Sequence, residues 1–243
     1  SWEKVDAIID KAGSMGAAIR IGVNAGSIEK DLLERTDLTQ SEKLVSSAMR
    51  FVEHFESRGF ENIVLSAKAH SVNTTIDTYR KLSHELPQIP LHLGVTEAGG
   101  IRQGTIKSSI ALGTLLAEGI GDTMRVSLTA DPIEEVPVAW GILSALGLRR
   151  RGPEMISCPT CARCQVNLID IASEVERRLS FCAKPVSVAV MGCAVNGPGE
   201  ASDADVGVAC GKGCALLFKQ GEIIRKIPED AIVDELLNEI SKL

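Results

Sequence analysis

The sequence has few aromatic residues, which make up 3% of its 243 residues as 5 Phe, 2 Trp and 1 Tyr. Nucleic-acid-binding proteins present a basic surface and stack bases on aromatic rings, whereas this chain carries a formal net charge of −6. We therefore expect no nucleic-acid partner. The chain also lacks any run of about 18 apolar residues, so the sequence predicts no membrane-spanning helix and no membrane partner.

An initiating Met and the apolar block of a signal peptide are missing as well, because the chain begins SWEKVDAIIDKAG. We expect a piece of a longer protein. Cysteine is absent from the first part of the chain, and all 7 cysteines follow residue 157. Clustered cysteines without a secretion signal indicate metal or redox chemistry in a reducing compartment rather than a disulfide framework.

Short apolar runs alternate with amphipathic stretches up to about residue 150. The runs at 18–23, 62–67, 91–95 and 124–128 are typical of buried strands, and helix-like stretches at 41–59, 74–86 and 105–119 lie between them. Ser41 is the expected N-cap of the first helix and Gly59 its C-terminal cap. Repeated βα units predict an α/β fold with a parallel sheet, as in half of a (β/α)8 barrel. A small doubly wound sheet remains the alternative, since pattern alone does not separate the two.

The composition changes at residues 148–153, which contain three consecutive arginines followed by Gly152 and Pro153. We interpret this segment as a linker and predict two domains, 1–151 and 152–243. The pattern predicts that the second domain is a small α+β domain. Its expected elements are a helix at 167–179, strands at 186–191, 206–209 and 215–218, and a terminal helix from Pro228.

Polar side chains interrupt the apolar strands of the first domain near their carboxyl ends. They are Arg20, Asn24, Lys68, Thr96, Glu97, Arg125 and Ser127. In parallel βα architectures ligands bind at these strand ends, where three cations would neutralise a multiply charged anion such as phosphate. The glycine-rich loop at 98–105 precedes a helix and adds backbone N–H groups for such a ligand. The alternative is that each charge pairs with a neighbouring carboxylate.

Four cysteines have the spacing of metal ligands. Cys158, Cys161 and Cys164 form two C-x2-C steps, and Cys193 follows in a glycine-rich loop. On spacing alone these four thiolates suit zinc and an iron–sulfur cluster equally well. We expect the other three, Cys182, Cys210 and Cys214, to be unligated.

Five blocks of sequence resemble one known family. They are RIGVNAGS (20–27), GVTEAGG (94–100), GDTMRVSLTADP (121–132), SCPTC (157–161) and MGCAVNGPGEA (191–201). The family is the 4-hydroxy-3-methylbut-2-en-1-yl diphosphate synthases, iron–sulfur oxidoreductases of the non-mevalonate isoprenoid pathway. The resemblance implies that the chain is the C-terminal half of a TIM (β/α)8 barrel followed by a small α+β iron–sulfur domain.

The resemblance also implies an activity, namely reductive ring opening and dehydration of 2-C-methyl-D-erythritol 2,4-cyclodiphosphate to 4-hydroxy-3-methylbut-2-enyl diphosphate. The implied partners are a ferredoxin or flavodoxin electron donor and a second copy of the chain in a homodimer. The implied location is the cytoplasm, or the plastid stroma in a plastid-bearing organism. Because family members carry further barrel strands ahead of this point, we expect the chain alone to be inactive.

The resemblance further implies the ligands of a [4Fe–4S] cluster. When the family's motifs are matched to this sequence, the ligand positions fall on Cys158, Cys161, Cys193 and Glu200. This set replaces Cys164 of the spacing argument with a carboxylate, which leaves an iron more readily than a thiolate does. Cys164 remains a competing ligand. The substrate-binding positions of the family fall on Arg20, Asn24, Lys68, Thr96, Arg125 and Ser127. Glu97 falls on an acidic position near the reacting centre, where it would relay a proton.

Two other functions remain open from the sequence. One is a non-catalytic cluster- or zinc-binding module from a truncated chain, and the other is a different phosphate-binding barrel enzyme with a zinc-stabilised appendage. A structural zinc site would not need Glu200, so the acidic loop favours the reductive synthase.

Overall fold

The computed structural model describes residues 2–195, 199 and 201–243. The chain divides into two compact units, Ser1–Arg149 and Arg150–Leu243. Within the described ranges, no helix is both long enough and apolar enough to cross a membrane.

The first unit alternates parallel strands with helices. Its strands are β1 (Ile19–Asn24), β2 (Ile63–Lys68), β3 (His92–Gly94) and β4 (Thr123–Arg125), and its helices are α1 (Trp2–Met15), α2 (Lys30–Leu33), α3 (Gln40–Ser57), α4 (Val72–Glu85), α5 (Ile101–Ala117) and α6 (Glu135–Ala145). β1 pairs with β2, a single bridge between Leu65 and Leu91 joins β2 to the segment that leads into β3, and β3 pairs with β4. The predicted parallel α/β arrangement is confirmed. The strands follow chain order, as in a (β/α)8 barrel, whereas a doubly wound sheet reverses direction.

Helix α3 shows how the local sequence sets its boundary. Thr39, and not the expected Ser41, is the N-cap: its hydroxyl accepts a hydrogen bond from Glu42 N, and Glu42 Oε2 accepts one from Thr39 N at 2.8 Å. This reciprocal pair is a capping box, which a Ser41 cap would lack. Ser41 is instead buried and accepts a hydrogen bond from Thr78 Oγ1. Gly59 follows the helix with φ +67°, as expected of a left-handed C-terminal residue.

The core of the first unit lies between the strands and the helices. Its most buried large side chains are Leu44, Leu65, Tyr79, Leu82, Leu93, Leu112 and Leu115. Along β1 burial alternates: Ile21 and Val23 face this core, while Arg20 and Asn24 are exposed on the opposite face. The polar strand residues therefore lie on the face that the helices leave uncovered.

The second unit is a five-stranded mixed sheet with two described helices. Its elements are β5 (Glu154–Ser157), α7 (Leu168–Leu179), β6 (Ser187–Met191), β7 (Val206–Gly211), β8 (Cys214–Lys219), β9 (Glu222–Pro228) and the last helix, α8 (Ile232–Ser241). The strands lie in chain order; β5, β6 and β7 are parallel, and β7, β8 and β9 are antiparallel.

Two of these strands were not expected from the sequence. β5 is short and half-buried, and β9 mixes charged with apolar residues at the edge of the sheet, so neither has the continuous apolar run of a central strand. The terminal helix begins at Ile232 instead of Pro228, because a 3-10 turn at Glu229–Ala231 intervenes.

Candidate functional site

Three cations lie on the uncovered face of the first unit. Arg20 is in β1, Lys68 ends β2 and Arg125 ends β4. Burial, followed by the positive charges of Arg125 and Arg20, lowers the pKa of Lys68 to about 8. No carboxylate among the described residues forms an ion pair with any of the three. The alternative, in which each charge pairs with a neighbouring carboxylate, therefore does not hold among the described residues. Cations that repel one another and lack a counter-charge favour the binding of an anion.

Lys68 and Arg125 are held by small neighbours. Lys68 is only 8% exposed, and its Nζ lies 3.0 Å from the point where a Cβ on Gly94 would be. Arg125 Nε donates a hydrogen bond to Ser127 Oγ at 3.0 Å. Gly94 therefore leaves room for the lysine side chain, and Ser127 orients the guanidinium.

His92 connects this cationic set across three strands. Arg20 Nη1 lies 3.1 Å from His92 Nε2, and His92 Nδ1 lies 2.8 Å from Thr123 Oγ1. Burial, followed by the charges of Lys68, Arg20 and Arg125, lowers the pKa of His92 to about 4. The imidazole is therefore neutral near pH 7. Sequence reasoning missed His92, whose only signal is a histidine within the apolar run LHLGV.

Tyr79 fixes the backbone beneath His92. β2 runs parallel to the segment that leads into β3, and Leu65 N donates a hydrogen bond to Pro90 O. In a regular parallel ladder, the next hydrogen bond from β2 would run from Ala67 N to His92 O. The Tyr79 hydroxyl is inserted there instead: it accepts from Ala67 N at 3.1 Å and donates to His92 O at 2.6 Å. Burial raises the pKa of Tyr79 to about 12. The inserted hydroxyl satisfies both backbone groups while holding the two strands apart at the site.

The remaining predicted residues lie at the same strand ends. Asn24 is exposed and pairs in register with Lys68. Thr96 N donates to Ala69 O at 3.2 Å, which ties the loop after β3 to the end of β2. Glu97 is exposed and has a φ of 54°, an uncommon left-handed conformation for a residue other than glycine. Among the described residues, its carboxylate forms no ion pair with the three cations.

In the second unit, thiols lie at the carboxyl ends of the parallel strands. Cys158 follows β5 directly, and Cys193 follows β6 by one residue. Gly192 N donates to Cys158 Sγ at 3.2 Å, which joins the two strand ends. Cys164 lies against the same glycine: a Cβ on Gly192 would be 2.9 Å from its Sγ, and that thiol donates to Val166 O at 3.3 Å.

The ligand set predicted from the resemblance is only partly described. Cys158 is half-buried, Cys161 is exposed and Cys193 is buried, whereas Glu200 lies outside the described residues. Across the part of the chain that is described, no three His, Cys, Asp or Glu side chains are arranged to hold a metal ion.

The other cysteines form no disulfide within the described part of the chain. Cys210 is fully buried near the end of β7, and burial, with smaller contributions from Cys164 and other neighbours, raises the pKa of its thiol to about 12. Cys214 begins β8, and Cys182 packs on the core beside α7.

These features define a two-part α/β protein, with a cationic site on the parallel strands of one unit and cysteines after the parallel strands of the other. Residues 1–140 match the GcpE TIM-barrel domain, and residues 154–242 match the GcpE protein C-terminal domain. The chain belongs to the GcpE family.

Several curated relatives share about half of their residues with this chain. It is 54% identical over 243 residues to the 4-hydroxy-3-methylbut-2-en-1-yl diphosphate synthase (flavodoxin) of Clostridium acetobutylicum, covering 100% of this chain and 69% of the relative. The proteins of the same name from Clostridium tetani and Geobacter sulfurreducens are 53% and 51% identical over 241 and 240 residues. These alignments cover 99% of this chain in both cases, and 69% and 68% of the relatives.

Proposed function

We propose that the chain is part of a 4-hydroxy-3-methylbut-2-en-1-yl diphosphate synthase, an oxidoreductase of non-mevalonate isoprenoid biosynthesis with flavodoxin as electron donor. The reaction opens and dehydrates 2-C-methyl-D-erythritol 2,4-cyclodiphosphate, taking up two electrons and two protons and releasing one water. In this proposal residues 1–151 are the C-terminal half of a TIM barrel that binds the diphosphate, and 152–243 are the iron–sulfur domain. The working protein is a cytoplasmic homodimer.

The observation that carries the proposal is a set of three cations that form no ion pair with any carboxylate in the described ranges. Arg20, Lys68 and Arg125 would bind the diphosphate, whose negative charge relieves their mutual repulsion. Ser127 keeps the Arg125 guanidinium in place through the hydrogen bond from its Nε. Asn24, at the end of β1, and Thr96, in the loop after β3, supply uncharged hydrogen-bonding groups for the substrate.

The donor set of the second unit fits a [4Fe–4S] cluster by its chemistry. Cys158 and Cys193 follow adjacent parallel strands that the Gly192 N–H bond joins, and Cys161 is three residues from Cys158. These thiolates and the Glu200 carboxylate would hold the cluster, with Cys164 next to Gly192 as a competing ligand. When bound, the cluster supplies the two electrons one at a time. Cys210 is not part of the proposed ligand set and belongs to the buried apolar core of the second unit.

Glu97 is the proposed proton donor for the hydroxyl that leaves as water. The exposed carboxyl group follows β3 immediately after Thr96, on the loop that the Thr96 N–H bond fixes to β2. Its left-handed backbone conformation costs on the order of 1–3 kcal/mol and is typical of a residue that the fold holds for function. Protonated Glu97 would donate as the C–O bond breaks.

The test is oxygen-free purification of the whole protein, followed by metal analysis and turnover with reduced flavodoxin. We expect a broad visible absorption band, about four irons and four sulfides per chain, and conversion of the cyclic diphosphate. Cys158→Ala should lose the iron, whereas the matched variant Cys164→Ala should keep it. Stoichiometric zinc without colour, persisting after iron–sulfur reconstitution, would contradict the proposal and favour a zinc-binding module.

A further inference from the structure

We propose that His92 is a positioning residue for anion binding: as a neutral hydrogen-bond acceptor, it holds the Arg20 guanidinium in place without neutralising its charge. The inference rests on the proposed function, because it assigns His92 to the same diphosphate site.

The hydrogen bonds around the ring fix which nitrogen carries the proton. Arg20 can only donate, so Nε2, 3.1 Å from Arg20 Nη1, must accept. Nδ1 then carries the hydrogen and donates to Thr123 Oγ1 at 2.8 Å. A doubly protonated ring would leave Arg20 facing another donor. The contact with Arg20 therefore requires the neutral Nδ1–H form.

The imidazole is itself held by rigid neighbours. His92 is only 6% exposed, and its carbonyl oxygen accepts from Tyr79 Oη at 2.6 Å. Tyr79 is fully buried and also binds Ala67 N in β2. The acceptor for Arg20 is thus anchored through its ring to β4 and through its backbone to α4 and β2.

Arg20 needs this support because no other described side chain or backbone group anchors its guanidinium. Within the described part of the chain it forms no ion pair, and its guanidinium makes one hydrogen bond, to His92. An unrestrained arginine loses rotamer entropy when a ligand immobilises it. Fixing one nitrogen beforehand removes part of that cost and leaves the other N–H groups for the anion.

A neutral acceptor serves this purpose better than a carboxylate. Aspartate or glutamate would bind Arg20 more strongly, but its negative charge would cancel one of the three cations and repel a diphosphate. The charges of Lys68, Arg20 and Arg125 oppose protonation of His92, so the site itself keeps the ring in the accepting form. The cations and the histidine are therefore mutually dependent.

The test compares three substitutions that separate the roles of the ring. His92→Gln places an amide oxygen near the position of Nε2 and retains an acceptor for Arg20. His92→Asn reaches only the position of Nδ1, so it keeps a partner for Thr123 and loses Arg20. His92→Glu keeps the acceptor and adds a negative charge. Each variant is prepared as the whole holoenzyme, and KM and kcat for the cyclic diphosphate are measured beside the Kd for inorganic pyrophosphate.

We expect His92→Asn to raise KM and Kd about tenfold or more, the range for a lost hydrogen bond to a charged group, with kcat largely retained. His92→Glu should raise both by a similar factor for a different reason, because its carboxylate cancels one of the three cations and repels the anion. His92→Gln should stay within about threefold of the parent protein. A rise in KM at constant kcat reports lost binding, which a general loss of folding would not produce.

Two results would overturn the inference. One is an unchanged Kd in His92→Asn, and the other is an equal loss in His92→Gln and His92→Asn. If His92→Asn does not fold, Thr123→Val against Thr123→Ser replaces it, since only the valine removes the acceptor for Nδ1–H; equal affinities in that pair would also overturn it. If the parent holoenzyme neither binds pyrophosphate nor converts the cyclic diphosphate, the proposed function itself fails.

Discussion

The Lys68 side chain lies directly over Gly94, with Cε 2.9 Å and Nζ 3.0 Å from the position of a Cβ on that glycine. The same Cβ would be 3.1 Å from the backbone oxygen of Arg125. Since Gly94 belongs to β3, between the strands of Lys68 and Arg125, its lack of a side chain lets both cations approach the same space.

Gly94→Ala should therefore displace Lys68 and weaken anion binding. We expect the Kd for the cyclic diphosphate to rise about tenfold and the free energy of unfolding to fall by about 1–3 kcal/mol, because the Arg125 backbone cannot rotate away. Calorimetric titration and urea unfolding measure the two effects. Gly113→Ala in α5 is the control, since a Cβ there has nothing within 4 Å; it should gain about 0.5–1 kcal/mol and bind normally. Normal affinity in Gly94→Ala would contradict this account.

Anion affinity should depend on the protonation of Lys68. Its pKa, lowered to about 8, means that the ammonium loses its proton above that pH in the unliganded protein. A bound anion favours the charged form, so binding takes up a proton there, and affinity should fall by up to about tenfold per pH unit above pH 8. Below about pH 7 the affinity should be constant with respect to this group.

The measurement is calorimetric titration of the oxidised holoenzyme with the cyclic diphosphate, whose own charge is constant over this pH range. Lys68→Arg is the matched control, because a guanidinium keeps its charge and should give a flatter profile. A parent profile as flat as that of Lys68→Arg would disprove the assignment.

The left-handed backbone of Glu97 should lower the stability of the protein, while its carboxyl group should be needed for activity. Glu97→Gly relieves the left-handed strain and should raise the free energy of unfolding by about 0.5–1 kcal/mol. It should also lower kcat about 100-fold or more by removing the proton donor. Glu97→Gln should lose the same activity at unchanged stability. Gln220, with φ 46° in the β8–β9 turn, is the control: Gln220→Gly should gain stability and keep full activity. Full turnover in Glu97→Gln would remove Glu97 from the mechanism.

Removing the Tyr79 hydroxyl should open the sheet between β2 and β3. Tyr79→Phe leaves Ala67 N and His92 O without their partner and should cost about 1–3 kcal/mol of unfolding free energy. Because Tyr79 is the only tyrosine, near-ultraviolet absorbance follows its ionisation alone. We expect no phenolate in the native protein until the pH approaches 12. Ionisation near pH 10 in the folded state would contradict the buried, doubly bonded hydroxyl.

The sequence predicted features that repeat with the period of a strand. The alternation of Ile21 and Val23 with Arg20 and Asn24 gives both the strand and the face that its polar residues occupy. Ser41 was a wrong cap because Thr39 begins a capping box with Glu42, and both partners had to be considered together. His92 was missed because its role depends on Arg20 and Thr123, which are distant in sequence and meet only through the strand order.

The second unit was harder to predict from its sequence. β9 lies at the edge of the sheet, where five of its seven residues are exposed, so it lacks the alternation of apolar and polar residues that marks a half-buried strand. Cys158 and Cys164 both contact Gly192, whose lack of a side chain leaves room for the Cys164 thiol. The spacing of cysteines along the sequence does not reveal this contact. The role of Glu200 came from the resemblance alone and stays a prediction.

The order of strands in the second unit has a consequence for assembly. Cys158 and Cys193 belong to chain segments that β5 and β6 bring together, while the apolar core of the unit lies along the strands and against α7 and α8. The thiol-bearing edge therefore exists only after the sheet has formed, and the sheet does not depend on that edge for its core. An inorganic group bound there would be inserted into a folded protein, and its loss and replacement would not require the chain to unfold.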